Sequence, residues 1–102
     1  MNITYQHRGS ALWVQLEGEL DHHSAAVCRS QLDEVLAQHP EIRQIRINLC
    51  QLDFMDSSGI ALILRTQQKM QLLDGSMLVC NVPSQARRVL DAAGIGRLVT
   101  IR

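Results

Sequence analysis

The chain opens with two short stretches in which apolar and polar positions alternate. Over residues 2–7 Ile3 and Tyr5 share one side, and over residues 11–17 Leu12, Val14 and Leu16 do. Arg8-Gly9-Ser10 lies between them, and two alternating runs about a glycine-containing turn predict a β-hairpin. Beyond Gly18-Glu19-Leu20 the period changes. Cys28, Leu32, Val35 and Leu36 recur at helical spacing behind Asp21-His22-His23-Ser24, and Asp and Ser are helix-starting residues. Arg29 and Asp33 form an i,i+4 pair on another face of this helix, which should stop before Pro40. Residues 42–49 alternate again, Ile45, Ile47 and Leu49 against Arg46 and Asn48, so a strand is predicted there.

Asp53-Phe54-Met55-Asp56-Ser57-Ser58-Gly59 then leads into a second helix reaching about Leu73. Its buried stripe is Ile60, Ile63, Leu64 and Met70, and Asp74-Gly75 is its stop. Met77–Val82 is almost continuously apolar, the pattern of a central strand covered on both faces. Pro83 suits the first turn of a third helix, with Val89, Leu90 and Ala93 as its apolar side and Gly94 as its end. Leu98–Ile101 makes a short last strand. The order ββαβαβαβ predicts a single α/β domain over residues 1–102: a mostly parallel central sheet with an N-terminal β-hairpin and three helices packed on it. Loops at the carboxyl ends of parallel strands gather at one edge, where functional groups usually sit. Segments 18–24 and 53–59 both fall at that edge.

Composition narrows the function. Apolar residues are 46% and charged residues 20% of the chain, which is the balance of a folded domain. Ten Lys and Arg against ten Asp and Glu leave a formal net charge of zero, which argues against nucleic acid or an anionic membrane as partner. Aromatics are only 3%, so the core must be aliphatic and a base-stacking platform is not expected. Cys28, Cys50 and Cys80 form no CxxC pair and each lies in an apolar pattern; buried, reduced thiols are expected. The longest strictly apolar run, Ile60–Leu64, is far short of a membrane span, and the N-terminus has no charged-then-apolar leader pattern. A cytoplasmic protein is expected.

The least ordinary stretch is 53–59. Two adjacent hydroxyls, Ser57 and Ser58, stand where a helix begins, with Asp56 before them and Gly59 after. A helix N-terminus carries about +0.5 charge and unsatisfied N–H groups, so a phosphate placed there is tolerated by the fold. The plainest role for Asp56 or Ser57 is a helix cap. Gly59 inside the first turn weakens the helix, which suggests a close approach of another backbone. Leu62 lies on the wheel opposite Ile60 and Leu64, beside Arg65 and Lys69, and is expected to be an apolar contact for a partner. His22 and His23 project about 100° apart with no third ligand at helical spacing, so no metal is expected there. The serines lie in no G-x-S-x-G pattern, and no Walker or G-x-G-x-x-G motif occurs. No catalytic residue and no cofactor are expected.

Gly18–Ser24 together with Leu52–Ile60 resembles the anti-sigma factor antagonists of the STAS domain family, the sporulation antagonists of endospore-forming bacteria in particular. The resemblance spans essentially the whole chain, although the chain stops soon after its last strand, where the sporulation antagonists continue into a helical tail. It implies that Ser57 is phosphorylated by an anti-sigma factor that is an ATP-dependent serine kinase, and that a serine phosphatase removes the phosphate. It also implies that the unmodified protein binds the anti-sigma factor and frees the sigma factor. A monomer is expected. The implied contact residues are Asp21, His22, His23, Ser24, Asp56, Ser57, Ser58, Gly59 and Leu62. The alternative under the same resemblance is a non-catalytic STAS subunit of a bacterial phospholipid-transport ABC complex.

Overall fold

In a computed structural model that describes residues 1–102, the hairpin is β1 (Asn2–Arg8) and β2 (Ala11–Leu20). There follow α1 (His22–Gln38), β3 (Gln44–Met55), α2 (Ser57–Leu72), β4 (Ser76–Cys80) and α3 (Ser84–Ala92). A 3₁₀ turn over Ile95–Arg97 then leads to β5 (Thr100–Ile101). The strands lie in the order β1-β2-β3-β4-β5; β1 is antiparallel to β2 and the other pairs are parallel. This is the α/β architecture that the hydrophobic pattern predicts.

The alternation within the strands explains where the helices sit. Leu12, Val14 and Leu16 of β2, Ile45, Ile47 and Leu49 of β3, and Met77 and Val79 of β4 all face one side. There they meet Cys28, Leu32 and Leu36 of α1, Ile63 and Met70 of α2, and Ala86 and Leu90 of α3 in one cluster. All three helices therefore cover the same face. The other face is polar and open, with the Arg46 guanidinium 4.8 Å from the centre of the half-exposed Trp13 ring. The expectation that β4 is covered on both faces is thus corrected. Leu78 is buried on the helix-free side between its ladder neighbours Arg46 and Thr100.

The sheet extends further towards its functional edge than the alternation suggests. Residues 18–20 and 53–55 are strand, not loop. Along β3 the burial changes from every second residue to every third, through Leu49, Leu52 and Met55. Two register shifts against β2 produce this change. Because β4 ends at Cys80, opposite Asn48, the last part of β3 pairs with β2 alone. The bulged geometry turns Cys50 outward. Cys80 is half-buried and only Cys28 is buried, which corrects the expectation of three buried thiols. Burial pushes the Cys28 thiol up to about 11. At the far end, Ala93 and Leu98 are exposed rather than packed, and the last strand is only two residues long.

Helix–helix packing accounts for two further differences. Leu62 is 4% exposed and belongs to the core, because α1 lies alongside α2 and covers what a helix packed on the sheet alone would show to solvent. Asp33 pairs not with Arg29 but across to α2. Arg65 donates to both of its carboxylate oxygens at 3.0 Å, and Lys69 donates to one at 2.9 Å. Gly75 is required where α2 turns back to β4: a Cβ there would collide with the Arg43 carbonyl oxygen.

The Arg65 hydrogen bonds, with Lys69, hold the Asp33 carboxyl down from 3.8 to about 2 against the opposing effect of partial burial. A depressed carboxylate stabilises the fold above its unfolded value and loses that contribution as pH falls through the folded one. Asp33→Asn is expected to lower stability by under about 1 kcal/mol, since the pair is solvent-screened. In urea titrations the difference should be full above about pH 5 and shrink as pH falls from 3.8 towards 2. A difference independent of pH would contradict the pairing.

Candidate functional site

At the carboxyl edge of the sheet two strands hand over to two helices in the same way. Leu20 at the end of β2 stands opposite Met55 at the end of β3, and the Asp56 N–H donates to the Leu20 carbonyl at 3.3 Å. Each strand is followed by one aspartate in extended backbone, Asp21 before α1 and Asp56 before α2. Both are N-caps. Asp21 accepts from the Ser24 N–H at 2.9 Å, and Ser24 Oγ accepts from the Asp21 N–H at 2.9 Å, closing a capping box. The Ser24 backbone N–H, and then its hydroxyl, hold the Asp21 carboxyl below the usual carboxylate range. Asp56 accepts from the Ser58 N–H at 2.8 Å.

This division of roles leaves Ser57 free. It is the first residue of α2, it is exposed, and the cap is made by its neighbour. Its position is fixed from three sides. Asp56 is tied to β2, as above. Gln85 of α3 accepts from the Met55 N–H and donates to the Met55 carbonyl, both at 2.8 Å, so its amide takes the place of a missing strand. Gly59 lets α2 start hard against the strand ends, where a Cβ would come within 2.6 Å of Met55 Cγ and 3.0 Å of Leu20 Cδ2. The close approach inferred from Gly59 is therefore made by buried side chains and not by another backbone.

The edge brings most of the expected residues together. His22 and His23 are exposed at the start of α1. A groove of about 280 Å³ between α1 and α2 is lined by both His22 and Ser58, with Arg29 and Arg65 along it. Three expected contact residues are mostly buried. Ser24 at 6% exposure, Leu62 at 4% and the buried Gly59 chiefly build the site from inside, although Leu62 still forms part of the floor of this groove. Gln85 and the half-exposed Phe54 were missed. Phe54 carried a signal, an aromatic beside the serines. Gln85 carried none, because its role depends on α3 folding back across the end of β3. Both helix N-termini point at this edge, so it combines a free hydroxyl with an electrostatic setting that favours negative charge.

The STAS domain model matches residues 2–102. The chain is 37% identical over 101 residues to the anti-sigma F factor antagonist of Paenibacillus polymyxa, covering 99% of this chain and 86% of that protein. Among solved structures it resembles the anti-sigma factor antagonist SpoIIAA in its unphosphorylated form, with a TM-score of 0.86, 25% identity, and 99% and 88% of the two chains covered. It also resembles the Bacillus cell fate determinant SpoIIAA in the phosphorylated form, with a TM-score of 0.77, 25% identity, and 99% and 91% covered.

Two substitutions test how Ser57 is positioned. Gly59→Ala gains helix propensity of about 0.5–1 kcal/mol but overpacks Met55 and Leu20, and a net loss of about 1–2 kcal/mol is expected in denaturant titrations. Gln85→Ala leaves the Met55 N–H and carbonyl unpaired and should cost about 1–2 kcal/mol. Faster amide exchange at Met55 should accompany it, and unchanged exchange there would show that Gln85 does not pin the junction.

Proposed function

This chain belongs to the STAS domain family, and we propose that it is an anti-sigma factor antagonist whose binding is switched by phosphorylation of Ser57. Unmodified, it binds an anti-sigma factor that is also a serine kinase, through Asp21, His22, His23, Asp56, Ser57 and Ser58, and the sigma factor is released. The kinase's ATP supplies the phosphoryl group. Ser57 Oγ bonds to the γ-phosphorus, the bond from that phosphorus to the β,γ-bridging oxygen breaks, ADP leaves, and the hydroxyl proton passes to a base of the kinase or to water. A serine phosphatase reverses the modification. In this reading the chain is a cytoplasmic, monomeric binding domain, the substrate of enzymes and not itself one. No helix of the structure is long and apolar enough to cross a membrane.

The observation that carries the reading is the exposure of Ser57 at the start of α2 while Asp56 performs the capping. The likeness to an antagonist described in both unphosphorylated and phosphorylated forms supports it. The physics of the switch is local. Phosphorylation adds about −1.5 to −2 charges to a surface that offered one small hydroxyl. Asp56, the residue before Ser57, and Asp21 at the neighbouring helix start are already acidic, so the phosphate concentrates negative charge on the surface a partner must cover. The helix N-terminus compensates the charge within the fold, so release of the partner needs no refolding. Losing about 3–4 kcal/mol of binding already lowers affinity several hundred-fold.

Incubation with the cognate kinase and ATP should add one phosphate, located to Ser57 by intact-mass and peptide mass spectrometry. Ser57→Ala should take up none and bind constitutively, whereas Ser57→Asp should lower affinity by about a hundredfold or more. Phosphate found only on Ser58, or full binding by Ser57→Asp with an unchanged melting profile, would sink the proposal.

A further inference from the structure

A second cluster of titratable side chains lies at the amino-terminal edge of the parallel strands, the end of the sheet away from Ser57. His7 is near the end of β1, His39 follows the last residue of α1, and Glu41 stands in the connection to β3. His7 Nε2 is 3.6 Å and His39 Nδ1 3.3 Å from the same oxygen, Glu41 Oε1. The two rings tilt 56° to each other with centres 4.5 Å apart, and the three ligand atoms all lie within 4.8 Å of one another. We propose that His7, His39 and Glu41 form a binding site for a divalent transition metal of the zinc class.

The argument is one of geometry and donor type. Zinc bonds of about 2.0–2.1 Å in a tetrahedron set neighbouring ligand atoms about 3.3–3.5 Å apart. The His39 distance to the Glu41 oxygen, 3.3 Å, matches that spacing, the His7 distance, 3.6 Å, is slightly longer, and all three atoms lie within 4.8 Å of one another. Two imidazole nitrogens with one carboxylate suit zinc, whereas calcium and magnesium prefer oxygen alone. His7 and Glu41 are exposed and His39 is half-buried, so an ion reaches the site without opening the core. The nitrogens now serve as hydrogen-bonding atoms, His7 Nε2 towards the Gly9 carbonyl at 2.8 Å and His39 Nδ1 towards Glu41. To coordinate, each ring carries its proton on its other nitrogen, and the exposed His7 ring also turns away from the Gly9 carbonyl and gives up that hydrogen bond. A bound ion joins the hairpin turn to the chain leaving α1, and nothing in this rests on the switch at Ser57.

Calorimetric titration of the untagged protein with zinc chloride, in a reducing buffer, should give one ion per chain. His7→Ala, His39→Ala and the near-isosteric Glu41→Gln should each weaken binding by about tenfold or more, while His22→Ala combined with His23→Ala leaves it unchanged. Zinc should also shift the side-chain ¹⁵N resonances of His7 and His39. No binding at millimolar zinc, or binding that survives His39→Ala and is lost with His22→Ala, overturns the proposal.

Discussion

Everything at the candidate site depends on two parallel strands ending level with each other. β2 and β3 finish at the paired residues Leu20 and Met55, and the next residue of each is an aspartate. The backbone angles of the two are almost the same, φ −111° and ψ −171° at Asp21, φ −114° and ψ −168° at Asp56. Equal exits from neighbouring strands force two helices to begin side by side, with their N–H groups facing the same way. The positive ends of both helix dipoles therefore converge on one surface. Because side chains alternate along a strand, one residue more on either side would point the capping aspartate's side chain to the other face of the sheet and break the match between the two exits.

That arrangement separates tasks that a single residue would otherwise combine. Asp56 satisfies the helix end, Gln85 holds the strand end, and Gly59 sets the distance between helix and sheet. Ser24 does for α1 what its neighbours do for α2, and donates as well to the Glu19 carbonyl at 2.8 Å. With these roles filled from inside, the Ser57 hydroxyl has no structural duty. Its chemistry can change without loss of the cap, which is a condition any reversible modification at a helix start must meet.

The hydrophobic pattern was a reliable guide wherever one element decided the outcome alone. The hairpin, the three helices and the Asp21 cap follow from local period and capping chemistry. It failed where two elements decide together. The end of β3 was hidden because its bulges change the burial period from two to three, and the alternation then appears to stop at Leu49. Leu62 looked exposed on a helical wheel drawn against a sheet, and α1 buries it. Asp33 has a plausible partner at i−4, yet the guanidinium of the neighbouring helix outcompetes it by offering two parallel donors. The contact of Gln85 with Met55 joins positions 30 residues apart and has no local signature at all.

The three thiols differ in a way that composition alone would not suggest. A thiol reacts with alkylating reagents as its thiolate, so exposure and acidity together set its rate. Cys50 stands open on the surface, while Cys28, on α1, is buried where that helix packs on the sheet, and its thiol is raised to about 11. In the native protein the first labels at once and the second only when α1 lifts away from the sheet. The delay between the two is a clock that times the opening of the first helix, built into the unaltered chain.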